Sequence, residues 1–290
     1  MYERGGNAWF QRINAVLISI GMALCIVPFL HIASVSLSSN RAILSGEVTV
    51  FPLELNFEAY AKVLQDDAMI RSLLFTIGLT VVYTALALAM TVIAAYPLTK
   101  RTLRGRKVIL FLITFTMFFS GGTIPEYILV KGLNVINSVW ALILPNIINP
   151  FFLIILVSFF RSIPTALSEA AELDGCSQFG MLVRIVLPLS LPALATIGLF
   201  YAVGRWNGFM DALMYITNVD LYPIQLKLYQ IVMNSMTNDT TVMDGNLQIQ
   251  VLPESMKAAG IMLASLPILL VYPWLQRFFI SGVMIGSIKE

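Results

Sequence analysis

The chain has 290 residues, of which 58% are hydrophobic and only 12% charged. Soluble domains carry about 25% charged residues, so this composition excludes an ordinary water-soluble globule and points to a bilayer as the solvent. The formal net charge of +2, scattered along the chain, likewise excludes an electrostatic footprint for nucleic acid.

The N-terminus sets Arg4 and Arg12 around the start of an apolar run covering residues 13–37. That run exceeds a signal-peptide core and is long enough to span, so it reads as a retained first transmembrane helix. Five more apolar stretches follow, at about 72–98, 108–130, 139–160, 187–205 and 258–280. Each suits a hydrocarbon core of about 30 Å at 1.5 Å rise per residue. Gly121, Gly122 and Pro125 interrupt the third. A broken helix at membrane depth needs protein or a water-filled cavity to satisfy its freed backbone, so this span is expected to pack inside the bundle or line a path. The fold class is therefore all-α, integral to the membrane, with six spans in one domain over 1–290 and a core of about 68–280.

Two connections are long. Residues 38–71 carry Phe51-Pro52-Leu53 and a stretch that predicts a short amphipathic helix near 57–64. Residues 209–257 carry Tyr222-Pro223 and a polar tract from Asn234 to Asn246. Loops of that length in a compact protein tend to be functional.

Basic residues orient the spans. Lys100, Arg101, Arg104, Arg106 and Lys107 stand together without an acid; Arg4, Arg12, Arg161, Arg184, Arg277 and Lys289 fall on the same side. Opposite lie only Arg41, Lys62, Arg71, Lys131, Lys227 and Lys257, among a majority of the acids. Both termini are thus expected in the cytoplasm.

Catalytic signals are missing. No G-x-x-x-x-G-K-[ST] is present to cradle ATP phosphates, and no serine has an evident base partner. His31 is the lone histidine, read as a packed, hydrogen-bonded helix residue, and Cys25 and Cys176 read as small buried hydrophobes. Acids near the spans are limited to Glu126 and Asp211, too few for the midplane ion ligands of a secondary carrier. Neither a metal site nor a bound cofactor is expected.

One segment is distinctive. After Ser162-Ile-Pro164-Thr165, a short helix is expected over about 166–173, ended by Gly175 and followed by a second short helix through Phe179 and Ile185 to Leu187-Pro188. Ala170 and Ala171 leave a low surface for close approach, and Glu169, Glu172 and Asp174 form an acidic rim on an otherwise basic face. The spacing of Glu169, Ala170, Ala171, Gly175, Ile185, Leu187 and Pro188 resembles, at every position, the coupling motif of permease subunits in bacterial ABC importers. Asp174 and Pro192 resemble the carbohydrate-uptake branch. So do Trp140-Ala141-Leu142 with Leu144-Pro145, Trp206-Asn207, Ser36-Leu-Ser-Ser39 with Gly46-Glu47-Val48, and the tail from Gly282 through Gly286 to Lys289.

The resemblance covers nearly the whole chain and implies a partnership. Two homologous permease subunits, paired as a heterodimer, would form one pathway in the bacterial inner membrane. A separate cytoplasmic ATPase dimer would bind and hydrolyse ATP-Mg, and an extracytoplasmic solute-binding protein would deliver an oligosaccharide such as a uronate oligomer. This chain itself would be non-catalytic. The loop 162–188 would dock the ATPase through Glu169 to Gly175, with the tail 281–290 (Gly282, Gly286, Lys289) reaching the same partner. Polar and aromatic groups suited to sugars are Glu126, Tyr127, Arg205, Trp206 and Asn207; Arg205 is expected either to meet an acidic sugar or to snorkel to the interface. A carrier, a channel or a permease for a non-sugar solute are the alternatives.

Overall fold

A computed structural model describes residues 6–239 and 254–287. Lys289 and the later part of the polar tract lie outside the described residues. The described chain is helical: α1 (Gly6–Ser36), α2 (Asn40–Leu44), α3 (Glu58–Gln65), α4 (Asp67–Ala95), α5 (Arg106–Phe118), α6 (Thr123–Gly132), α7 (Val139–Ile143) and α8 (Pro150–Ser162) come first. Then follow α9 (Thr165–Leu173), α10 (Gln178–Met181), α11 (Leu187–Leu189), α12 (Leu191–Asn207), α13 (Met210–Tyr215), α14 (Ile224–Asp239) and α15 (Glu254–Ser287).

Three of these helices are long and apolar enough to cross a membrane, and up to six spans result if each of three sharply bent helix pairs counts as one. Helices α1, α4 and α15 match the first, second and sixth expected spans. The third breaks where its glycines stand: α5 and α6 meet at 118°, and Gly122 takes φ +85°, a conformation that disfavours side chains. Of the two expectations, packing inside the bundle or lining a path, the described residues do not show the first. No residue of α5 is buried, and Val130 alone is buried in α6.

The expected fourth span, 139–160, is not continuous. Pro145 and Pro150 cannot donate to a helix ladder, and Asn149 instead caps a new helix, its Oδ1 accepting from the amides of Phe151 (2.9 Å) and Phe152 (3.3 Å). Tyrosines satisfy the backbone this break releases. Tyr83 donates to the Asn146 carbonyl at 2.7 Å, and the Asn149 amide donates to the Tyr201 hydroxyl at 3.0 Å. The fifth span begins at Leu191 rather than 187, because the chain turns by 81° at Ser190.

The chain divides into two compact units, Met1–Ile70 with Lys227–Leu266 and Arg71–Leu226 with Pro267–Glu290. In the first, the Ser36-Leu-Ser-Ser39 motif is a hydrogen-bonded knot. Ser36 shares a 2.8 Å bond with the Tyr60 hydroxyl, Ser38 accepts from the Leu53 amide (3.0 Å), and Ser39 caps α2. His31 bonds the Thr49 carbonyl at 2.7 Å, as its hydrogen-bonded reading expects, although its side chain is exposed. Cys25 is exposed rather than buried, because no part of α1's apolar window is covered among the described residues; Cys176 is half-buried. Helices α14 and α15 come close at Gly260, where a Cβ would stand 3.1 Å from Leu228.

In the second unit the Tyr201 ring on α12 meets Tyr83 of α4 and Phe152 of α8, and Leu79, Ala87, Leu142, Leu156, Ile197 and Tyr201 are all buried. Gly198 permits the close approach of α12, since a Cβ there would lie 2.9 Å from Leu88. Part of the expected long outer connection 209–257 is helical, forming α13 and α14.

Candidate functional site

The motif loop folds as an elbow of short helices. Helix α9 ends in a Schellman turn: the Gly175 amide donates to the Glu172 carbonyl (3.1 Å) and the Cys176 amide to the Ala171 carbonyl (2.9 Å). Gly175 takes φ +75°, which explains why glycine stands there. Ser177 then caps α10 through the Gly180 amide at 3.1 Å. A π turn over Leu182–Val186 carries Ile185, and α11 presents Leu187 and Pro188. The sequence places both arms and the glycine between them; it counts Leu187-Pro188 both in the loop 162–188 and at the start of the fifth span, and in the structure they form α11, ahead of the bend at Ser190.

Among the described residues nothing covers α9. None of its residues is buried. Glu169 and Asp174 have no ion-pair partner among the described residues. Leu173 is 90% exposed and Phe179 74%. Acidic side chains beside free apolar ones on a rigidly capped turn form a surface that another protein can bury.

Three residues that the motif does not include hold the elbow. Gln178 accepts from the Tyr96 hydroxyl at 3.0 Å and donates to the Glu172 carboxylate at 3.0 Å, so one amide ties the end of α4 to both arms. Met181 is fully buried beneath α10, with the Lys100 ammonium 3.6 Å from its sulfur. Lys100 also lies 5.1 Å from the Tyr96 ring centroid. The clue in the sequence was the placing of Tyr96-Pro97 at the end of a span facing a loop glutamine, but it has no fixed spacing.

The residues expected to meet sugar divide into two groups. Tyr127 stacks on Tyr215 with centroids 6.2 Å apart and 20° between planes. Glu126 lies close by: burial first, and the Glu126 carboxylate second, raise the Tyr215 pKa above its ordinary value. Both residues follow the α5–α6 break. Arg205, in contrast, neither snorkels nor presents a free cation. It is 5% exposed and pairs with Asp211 at 2.5 Å while donating to the Leu142 carbonyl at 2.9 Å. Its other amino group donates to Asp211 (3.0 Å) and to the Gly208 carbonyl (3.3 Å). The Arg205 Nε is buried without an acceptor among the described residues. Trp206 is buried, and exposed Asn207 bonds the Val203 carbonyl on its own helix. In the tail, Gly282 and Gly286 lie on α15, which continues through Ser287.

The uncovered elbow stands on a chain with helices long and apolar enough to cross a membrane, which defines a membrane component. Residues 5–284 match the family of binding-protein-dependent transport system inner membrane components, and the chain belongs to that family. It is 42% identical to the polygalacturonan/rhamnogalacturonan transport system permease protein YtcP of Bacillus subtilis (strain 168), over 98% of this chain and 99% of that one. It is 44% identical to protein LplC of the same organism, over 100% of this chain and 98% of that one. Among solved structures, a bacterial ABC transporter involved in the import of the acidic polysaccharide alginate matches with a TM-score of 0.86 and 31% identity, covering 96% of this chain and 99% of that one.

Proposed function

We propose that this chain is one of two permease subunits of an ABC importer for an acidic oligosaccharide. It forms half of the translocation pathway and takes its power from a separate cytoplasmic ATPase dimer, which holds ATP-Mg. A solute-binding protein on the outer side delivers the substrate, and both termini are cytoplasmic. The observation that carries this reading is the uncovered elbow, a capped acidic and apolar turn at the position of the importer coupling motif.

On this reading, α9 seats in a cleft of the ATPase. Ala170 and Ala171 allow close approach, Glu169 and Asp174 supply polar contacts, and Gly175 sets the angle between the arms. Covering Leu173 contributes about 1.5–3 kcal/mol, enough to favour docking without making it permanent. Ile185, Leu187 and Pro188 carry the motion into α12. The tail residues Gly282, Gly286 and Lys289 add a second contact with the ATPase. Glu126, Tyr127, Trp206 and Asn207 belong to the substrate path: the Tyr127–Tyr215 stack offers a flat aromatic face for a sugar ring. Arg205 serves that path by holding its walls, not by touching sugar. A uronate oligomer is the favoured substrate because a similar permease and a similar solved transporter handle acidic polysaccharides.

Co-expression with the cognate permease, ATPase and binding protein, followed by uptake of labelled oligogalacturonate into vesicles, tests the proposal. A Glu169→Lys, Gly175→Asp variant is expected to insert normally yet lose ATPase association and uptake. Equal uptake by both proteins without any ATPase would overturn it in favour of a carrier or channel.

A further inference from the structure

A cavity of about 980 Å³ opens at the end of α4, walled by Ile93, Phe179 and Leu182 and rimmed by Lys100, Arg101 and Arg104. The two parts differ in chemistry. The walls are chiefly apolar, and Ile93 and Phe179, which line them, are largely exposed. The rim belongs to the 100–107 segment, which has five basic residues and no acid. None of the three rim cations has a carboxylate partner among the described residues. Lys100 is steadied by the Tyr96 ring and the Met181 sulfur, contacts that leave its charge unneutralised. One carboxylate, Glu172, also lines the cavity, and it accepts a hydrogen bond from Gln178.

Position selects the occupant. The candidate span runs from Asp67 to Thr99. Ile93 stands six residues inside its end, about 9 Å along a helix at 1.5 Å per residue. A span of 33 residues is about 50 Å long against a hydrocarbon core of about 30 Å, so that wall stands near the boundary between headgroups and hydrocarbon. A free phosphate would satisfy the rim and leave the apolar walls wet. An amphiphile with an anionic head and an apolar tail satisfies both, and basic residues directly following a membrane helix are suited to such headgroups.

We propose that this cavity binds an anionic phospholipid, with its phosphate on Lys100, Arg101 and Arg104 and an acyl chain along Ile93, Leu182 and Phe179. Because α4 supplies one wall and the elbow the other, the lipid braces the elbow against the span. The site needs no ATPase or sugar, so it stands or falls separately from the transport reading.

The test is native mass spectrometry of the full chain, purified in detergent and titrated with phosphatidylglycerol or phosphatidylcholine. Wild-type protein is expected to retain one phosphatidylglycerol in preference to phosphatidylcholine. Removing each cation, as in Arg101→Gln with Arg104→Gln, lowers that retention about fivefold per residue. Ile93→Trp, which leaves the rim intact and alters an exposed position, is expected to expel the lipid by filling the wall. Equal retention of the two lipids, or no effect of either variant, overturns the proposal. So does displacement by millimolar inorganic phosphate, which would mark a free-anion site. Stoichiometric release of phosphatidylglycerol on adding the cognate ATPase would also overturn it, by making the cavity part of the protein's docking surface.

Discussion

The elbow and the joint between α12 and α13 are both bends made with a glycine, in the same compact unit, and they are finished in opposite ways. At the joint, Gly208 lets the Arg205 guanidinium lie against the backbone, and Asp211 and two carbonyls answer the buried charge from within the chain. At the elbow, Gly175 makes an equally definite turn, yet Glu169 and Asp174 have no ion-pair partner among the described residues and Leu173 stands exposed. One bend is complete within the chain and the other is rigid but uncovered. Mutations should therefore act on folding at the joint and on partnership at the elbow.

The largest effect is expected at Arg205. Removing one member of a buried ion pair strands the other charge, so Arg205→Ala or Asp211→Ala should cost about 3–5 kcal/mol, seen as a lowered melting temperature in detergent. Replacing both, by Arg205→Met with Asp211→Leu, should restore most of the loss, because a buried pair is frequently matched by packed apolar groups. A double variant as unstable as the singles would show that the carbonyl contacts, not the pair, hold the joint. Gly208→Ala comes next. Its Cβ would stand 2.6 Å from the Arg205 Nη2, and that group is held in place by Asp211. The expected loss is about 1–3 kcal/mol, from overpacking.

At the elbow the same kind of change should read out elsewhere. Gly175→Ala places a Cβ on a left-handed residue at a cost of about 1–2 kcal/mol. Space is open around it, so the turn strains without any clash. The helix end loosens while the buried core is untouched. The melting temperature should stay within a degree or two of wild type as ATPase association falls several-fold, measured by co-purification. A large drop in melting temperature instead would make Gly175 part of the fold rather than of the docking surface.

Much of this contrast was legible in the sequence where it rested on local rules. Gly175 after an apolar helix, Pro164 before it and the Gly121-Gly122 break are punctuation with a physical meaning, and the structure has a turn, a helix start and a bend there. The apolar runs of α1, α4 and α15 needed only length. What hydropathy does not encode is how a run is divided. Residues 139–160 are apolar enough to read as one span, but Pro145, Asn149 and Pro150 divide it, and the division depends on Tyr83 and Tyr201 arriving from distant helices. Arg205 was picked out by its type and misjudged in its setting for the same reason. Its partner Asp211 is six residues on, beyond a bend, and Leu142 is 63 residues away in sequence. A charge near a membrane end reads as a ligand until the fold supplies its counter-ion.

The smallest effect expected is at Gln178, and it makes the sharpest test of the contrast. Its side chain accepts from Tyr96, just past α4, and donates to Glu172, so it is a polar link between the end of that span and both arms of the elbow. Gln178 and Glu172 are exposed, and water replaces most of what such a bond contributes, so Gln178→Ala should cost only about 0.5–1.5 kcal/mol. Thermal unfolding will barely register that. Coupling should register it more, because an elbow that pivots on Met181 alone transmits less of the ATPase's motion to α4. The expected outcome is ATPase turnover kept near wild type while uptake per ATP hydrolysed falls by a few-fold. Gln178→Glu sharpens the test: it still accepts from Tyr96 but sets a like charge against Glu172, and so should separate the arms further than alanine does. Uptake per ATP unchanged in both variants would mean that the elbow is held by its buried methionine, and that the uncovered surface transmits force through packing alone.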